Sequence, residues 1–154
     1  MKASPSLRLK IDSREQKPLE FKDGVFSEII SDGLPIGDYW CELKQEEEWR
    51  ELPLVFERKG LGDLFLTMTS NYSRFKHEMS RAKEFGIELI LLIEGSMEEV
   101  WRGYKHSQFS GESMLKKLAT LRTKHDLEYH FCNNRREMAR LIEDWFQAIR
   151  RNWR

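Results

Sequence analysis

The order of apolar and polar residues divides the 154-residue chain into short strands and amphipathic helices. Apolar residues alternate with basic ones over Leu7–Ile11, which is the period-two pattern of a half-buried strand. Further strands are predicted over Tyr39–Leu43, from Pro53 to Phe56 and over Leu127–Phe131, and the acidic segment between the first two of these predicts a hairpin. The nearly continuous apolar run Ile87–Ile93 predicts a strand that is covered on both faces.

Helical periodicity is strongest over Leu61–Phe85, where apolar residues recur three or four positions apart. This pattern predicts one long helix with Phe85 on its apolar face and Gly86 as the residue that ends it. Other helices are predicted over Val25–Ser31, Met97–Tyr104, Met114–Thr123 and Met138–Trp153. Strands that alternate with helices around a central apolar strand predict an α/β fold, with a mixed sheet flanked by helices.

Composition favours one globular domain over residues 1–154, because 40% of the residues are hydrophobic and 34% are charged. The longest apolar stretch is Leu89–Ile93, which is far shorter than the roughly 20 residues that span a bilayer. The segment Met1–Pro5 lacks the apolar core of a secretory signal. Cys41 and Cys132 form neither a disulfide framework nor a zinc-binding motif. We therefore expect a soluble, cytoplasmic protein.

Charge is balanced overall but unevenly distributed, with 26 basic and 26 acidic residues. Basic residues outnumber acidic ones from Lys116 to Arg154, whereas Glu42–Glu51 is acidic. Such asymmetry permits a surface that faces phosphates, and ordinary solvated helix faces explain it equally well.

Carboxylates collect where the predicted strands end. Carboxylates that meet at one place repel one another unless a cation neutralises them. A set of oxygen ligands suits Mg²⁺ or Mn²⁺ better than zinc. The acids in question are Asp12, Glu15, Asp38 and Glu57, and Asp63 opens the long helix.

Three basic residues accompany these acids. Side chains two positions apart on a strand share a face, so Glu57 and Lys59 should lie together while Arg58 points away. A metal-bound water beside a lysine and a phosphate is the arrangement that hydrolyses a phosphodiester. Arg14 is suited to hold the phosphate as a bidentate donor.

In their order along the chain these residues resemble a known signature. Asp12-x-Arg14-Glu15, Gly37-Asp38 and Glu57-Arg58-Lys59-x-x-x-Asp63 resemble the GD…ERKxxxD motif of the XPF-type nuclease family. That family is a branch of the PD-(D/E)XK restriction-endonuclease-like superfamily. The segment Leu34–Tyr39 and Phe56 extend the similarity over nearly the whole nuclease domain. The resemblance implies a metal-dependent DNA endonuclease that cuts one strand of branched or flapped DNA and leaves a 5′-phosphate.

The resemblance also implies which residues bind the metal ion. Asp38 and Glu57 would bind Mg²⁺ or Mn²⁺ together with the backbone carbonyl of Arg58. Asp12 and Glu15 would supply further acidic contacts, through water or to a second ion.

Other roles follow in the same way. Lys59 would position or activate the attacking water, and Arg14 and Arg58 would contact phosphate or brace the site. Asp63 matches the motif, yet an acid in the first turn of a helix also complements the helix dipole. Apart from the resemblance, basic residues line the exposed side of the long helix, where contact with the DNA backbone and simple solvation explain them equally well: Arg74, Lys76, Arg81 and Lys83.

The chain departs from the family pattern in three ways. Glu78 stands where the family often has a glutamine, in the run that begins at Arg74, and Gly60 stands where serine is common. The helix-hairpin-helix modules and the helicase domain of larger members are missing from residues 1–154. We therefore expect a compact prokaryotic, archaeal or viral nuclease whose preferred branch is open.

Three readings of function remain. The first is an endonuclease of DNA repair, acting as a monomer or as a homodimer formed partly by the apolar and basic C-terminal helix. The second is a catalytically silent DNA-binding or scaffold subunit, although the acid set is complete. The third is a recombination or replication nuclease that acts on junctions, single strands or duplex ends.

Overall fold

A computed structural model describes residues 4–153, and their strands form one six-stranded mixed sheet in the order β2-β1-β3-β4-β5-β6. The antiparallel pairs are β1 with β3 and β3 with β4, and the remaining neighbours are parallel. This sheet confirms the predicted fold class. Residues 1–3 and Arg154, which entered the signal and charge arguments, lie outside the described residues. The strands are β1 Ser6–Asp12, β2 Glu28–Asp32, β3 Tyr39–Gln45, β4 Glu48–Gly60, β5 Glu88–Glu94 and β6 Glu128–Cys132.

Helices cover both faces of the sheet. They are α1 Leu61–Thr67, α2 Tyr72–Glu84, α3 Met97–Arg102, α4 Gly111–His125 and α5 Arg135–Arg151. Polar side chains satisfy free amides at several helix starts, as in the reciprocal bonds between Ser96 and Glu99 that begin α3. Over residues 4–153, no helix is both long and apolar enough to cross a membrane.

Alternating residues of the strands build two separate cores. Phe56 faces α5 and packs edge-on against Phe146, whose ring centroid is 5.3 Å away. Its neighbour Val55 faces the opposite core, which α1, α2 and α4 cover with residues such as Leu64 and Leu118. The apolar run in β5 is buried because its side chains alternate between the two cores.

The helix predicted over Val25–Ser31 is wrong, because residues 28–31 of this segment belong to β2. Arg8 pairs with Glu28 in parallel register, and their side chains form an ion pair of 3.4 Å. Ile29 is 49% exposed, so the apolar spacing here belongs to an edge strand and does not mark a buried helix face. Pairing with β1 overrides the local pattern.

The long helix predicted over Leu61–Phe85 is also wrong, because the chain breaks it into α1 and α2 at residues 68–71. The amide of Asn71 donates to the carbonyl of Leu66, five residues earlier, instead of continuing the helical pattern. Met68 is buried at the break and keeps the apolar spacing continuous, which is why periodicity alone does not detect it.

The end of α2 differs from the sequence prediction in one side chain. Gly86 adopts a φ of +70°, and the amide of Ile87 returns to the carbonyl of Ala82 at 2.8 Å. These features form a Schellman motif and confirm Gly86 as the residue that ends the helix. Phe85, expected on the apolar face, is instead exposed, because it lies on the last turn beyond the reach of the core.

Candidate active site

A cleft of about 520 Å³ opens beside α2, where β1 ends, β3 begins and β4 ends. The structure brings most of the predicted site residues into this cleft and adds two residues of α2 that were not predicted. Predicted residues outside its lining are Arg58, Asp63, Lys76 and Lys83. The predicted residues that line it are Asp12, Arg14, Glu15, Asp38, Glu57, Lys59, Arg74 and Arg81.

Backbone bonds to both neighbouring strands fix Asp38. Its amide donates to the carbonyl of Phe56 at 2.7 Å, and its carbonyl accepts from the amide of Asp12 at 2.8 Å. The preceding Gly37 has a φ of +70°, and a Cβ atom there would overlap the side chain of Val55. Glycine is therefore required in this turn for both conformation and space.

Glu57 and Lys59 share a face of β4, as their spacing predicts. Lys59 Nζ lies 3.2 Å from Glu57 Oε1, and only 7% of Glu57 is exposed. Arg58 points to the other side, where its guanidinium lies 3.3 Å from Glu15 and 3.7 Å from Glu94. The backbone amide of Arg58 helps to position Asp38 in the cleft, because it donates to Asp38 Oδ2 at 2.7 Å.

Burial and like charges shift Asp38 and Glu57 toward their protonated forms. Burial raises the pKa of Asp38 from 3.8 to about 7, and the charges of Glu15 and Asp12 add to this effect. Burial also raises the pKa of Glu57 well above its usual value, with further contributions from Asp38 and Glu78. A cation placed between these carboxylates would relieve their repulsion.

Lys59 carries its positive charge firmly. Burial by itself lowers the pKa of this ammonium, but the carboxylates of Glu57, Asp38 and Asp63 outweigh burial, so the pKa of Lys59 is raised. Asp63 thus acts on the site at a distance, from an exposed position in the first turn of α1.

Asp12 and Arg14 brace the loop that carries Gly37. Asp12 is 4% exposed; its Oδ1 accepts from the amide of Leu34 at 3.1 Å and its Oδ2 from Arg14 Nε at 2.9 Å. Arg14 also donates to the carbonyl of Leu34. Glu15 is held similarly, because its Oε2 accepts from the hydroxyl of Tyr39 at 2.8 Å.

Helix α2 contributes residues that the sequence analysis did not assign to the site. Glu78 Oε1 accepts a hydrogen bond from the amide of Gly37 at 3.2 Å, and His77 also lines the cleft. The available signal was helical spacing, since Arg74, Glu78 and Arg81 recur at four and three positions and so share one face. Lys76 instead lies over the ring of Tyr72 at 4.8 Å, away from the acids.

The donor set fits a magnesium-like ion that retains water. Among residues 4–153, no group of three or more His, Cys, Asp or Glu side chains could hold a metal ion. Asp38 Oδ1 and Glu57 Oε2 make no hydrogen bond to a described residue. Mg²⁺ is commonly bound by one or two carboxylates with several waters, so these two oxygens and the carbonyl of Arg58 could hold it.

A mixed sheet between helical layers, with acids and a lysine at its strand ends, defines a nuclease-like fold of the XPF type. The model of the ERCC4 domain matches residues 11–144, and the chain belongs to this family. This confirms the resemblance to the XPF-type nuclease family.

Two solved structures show the same fold. One is XPF from Aeropyrum pernix, with 21% identity, a TM-score of 0.66, and coverage of 94% of this chain and 66% of that one. The other is XPF from Aeropyrum pernix in complex with DNA, with 22% identity, a TM-score of 0.60, and coverage of 92% and 64%. The chain therefore spans slightly less than two thirds of either structure. A search of curated proteins gave no match.

Proposed function

We propose that the chain is a structure-specific DNA endonuclease that hydrolyses a phosphodiester bond with the help of Mg²⁺ or Mn²⁺. The observation that carries this proposal is the meeting of Asp38, Glu57 and Lys59 in one cleft of a chain with an ERCC4 domain. The related XPF structure in complex with DNA supports nucleic acid as the ligand. Function in repair or recombination belongs to the same proposal.

The two carboxylates and Lys59 would divide the chemistry. Asp38 and Glu57 would hold the ion, which lowers the pKa of a bound water and stabilises charge on the phosphoryl oxygens. Lys59 would position or activate the attacking water, and its ammonium would donate hydrogen bonds to that water or to the scissile phosphate. Arg14, whose side chain is largely exposed, would hold a phosphate oxygen from the rim.

Two arginines of α2 extend the phosphate-binding surface. Arg74 and Arg81 line the cleft, and in the part of the chain that the structure describes neither lies within ion-pair distance of a carboxylate. Most other arginines do have such partners, as Arg8 has in Glu42 at 2.8 Å. Cations without partners beside the proposed metal site suit the phosphates on either side of a scissile bond.

A homodimer is also proposed, but the apolar face of α5 gives it little support. Phe146 is fully buried, the ring centroid of Trp145 lies 5.7 Å from that of Phe56, and Trp153 Nε1 donates to Gln45 at 3.0 Å. This face therefore packs within the chain. The edge of β6, where Tyr129 is half-buried, is the more accessible surface for a second copy.

Cleavage assays test the proposal directly. End-labelled flap, fork, four-way-junction and linear DNAs would be incubated with Mg²⁺ or with EDTA. Asp38→Ala and Lys59→Ala should abolish cutting, whereas Lys116→Ala, which removes an exposed lysine of α4, should not. If no DNA is cut and wild type and variants bind DNA equally, the scaffold reading replaces the nuclease.

A further inference from the structure

A second pocket, of about 600 Å³, adjoins the cleft, and Pro35 and Arg81 line both. Its floor consists of apolar side chains from the loop before β3, from β3 itself and from the segment before β5. We call it the side pocket and define it by the residues on which the argument rests: Leu34, Trp40, Arg81, Phe85 and Ile87.

Phe85 lies at the rim of the side pocket on a backbone that hydrogen bonds hold in place. It is 67% exposed, more than any other large apolar side chain that the structure describes. This exposure does not come from a frayed helix end, because the Schellman motif through Gly86 and Ile87 fixes the backbone on the C-terminal side of Phe85. An aromatic ring held in water at a pocket rim is available for stacking.

The charged residues that line the side pocket are two basic and two acidic ones: Lys10, Arg81, Asp32 and Glu51. Asp32 at the rim accepts from the amide of Gly33 at 2.8 Å, and Glu51 is 3.3 Å from Lys10. Lys10 in turn lies over the ring of Trp40 at 5.4 Å. Glu51 is thus paired, whereas among the described residues neither Asp32 nor Arg81 forms an ion pair, and Arg81 lies where the two cavities meet.

We propose that the side pocket binds an unpaired nucleobase of the nucleotide next to the scissile phosphate. The base would stack on Phe85 over the apolar floor, and Arg81 would contact the intervening phosphate. A paired base cannot do this, because its neighbours in the duplex cover both of its faces. This inference rests on the proposed function and deepens it, since it defines the substrate as DNA with an unpaired nucleotide beside the cleaved bond.

The first test measures binding of the full chain in EDTA, so that no DNA is cut. Flap DNA, the same flap with abasic residues at its unpaired positions, and an equally long duplex would be compared at one salt concentration. Phe85→Ala should weaken binding of the flap about fivefold or more, as expected for loss of one base–aromatic stack. Phe85→Tyr should restore it, and Trp101→Ala, which removes a similarly exposed aromatic residue on α3, should change nothing.

The base and the ring should depend on each other. The abasic flap should bind wild type about as weakly as the normal flap binds Phe85→Ala, and combining both changes should add little further loss. If Phe85→Ala weakens the flap, the abasic flap and the duplex equally, or weakens none of them, the proposal is overturned.

A second measurement needs no variant. Single 2-aminopurine bases would replace successive unpaired positions of the flap, and wild type should quench fluorescence at one position by stacking. Equal fluorescence at all positions would overturn the base pocket. If wild type cuts flaps but shows no such quenching, the proposed function stands and the base pocket is wrong. If wild type shows the quenching but cuts no DNA, the base pocket stands and the proposed nuclease activity is wrong.

Discussion

Replacing Asp38 by asparagine should stabilise the metal-free protein above pH 7 and have little effect near pH 4. Burial raises the pKa of Asp38 from 3.8 to about 7, so the folded protein holds this proton more tightly than the unfolded chain does. Between these pH values the unfolded chain has lost the proton and the folded protein retains it. Rising pH therefore removes stability from wild type, and the loss is complete above pH 7.

The size of the effect follows from the same shift. A pKa that rises from 3.8 to about 7 corresponds to at most about 4 kcal/mol of folding free energy. Asp38 and Glu57 repel each other and titrate as a pair. Replacing Asp38 alone therefore recovers less than this full free energy. The asparagine carbonyl can still accept from the amide of Arg58, so the backbone contact survives. We expect a gain of about 1–3 kcal/mol at pH 8.

Urea unfolding in EDTA at several pH values from 4 to 8.5 measures this difference. The free energy of unfolding of Asp38→Asn should rise relative to that of wild type between pH 4 and 7. Above pH 7 the difference should stay constant. Asp144→Asn, which alters an exposed acid paired with Arg140 at 3.6 Å, should stay within about 0.5 kcal/mol of wild type. Adding Mg²⁺ should stabilise wild type and not Asp38→Asn, because ligands stabilise the state that binds them. Asp38→Asn that is less stable than wild type at pH 8 would refute the reasoning.

Three further predictions concern the surroundings of this acid. Glu78→Ala should lower stability by about 1–2 kcal/mol through loss of the bond to the Gly37 amide, and Glu78→Gln should retain most of it in the same unfolding assay. Gly37→Ala should cost about 3 kcal/mol, because a side chain there is strained and overlaps Val55; full stability would contradict the turn geometry. Arg74→Ala should weaken DNA binding similarly for all sequences and reduce the salt dependence of log Kd by about one; an unchanged salt slope would show that Arg74 does not contact phosphate.

Much of the fold could be predicted from sequence because several signals were local. The alternation in β1 and the continuous apolar run in β5 each reflect how many faces of the strand are buried. The two errors in the predicted elements have different causes. The segment that forms β2 becomes a strand by pairing with β1, and the break between α1 and α2 leaves the spacing of buried residues intact.

The candidate site also combines features that could be predicted from sequence with features that could not. Acids at strand ends were visible from sequence, because strands end at predictable places and their side chains alternate. Glu78 was noticed only as a departure from a family pattern, because its contact with Gly37 joins residues 41 positions apart. The exposure of Phe85 was missed for a related reason, since periodicity cannot tell where a core stops along a helix.

The β3–β4 hairpin separates Gly37-Asp38 from Glu57-Arg58-Lys59 along the chain and brings them together in space. Tyr39 lies opposite Phe56 in the antiparallel register, which places Asp38 next to Glu57 at the open end. A register shift between Trp40 and Glu42 lies farther from the site, toward the tip. A slip of one residue at the open end would turn Glu57 away from Asp38, because side chains alternate between faces. The buried pair of Tyr39 and Phe56 therefore preserves the site, whatever the length of the hairpin beyond it.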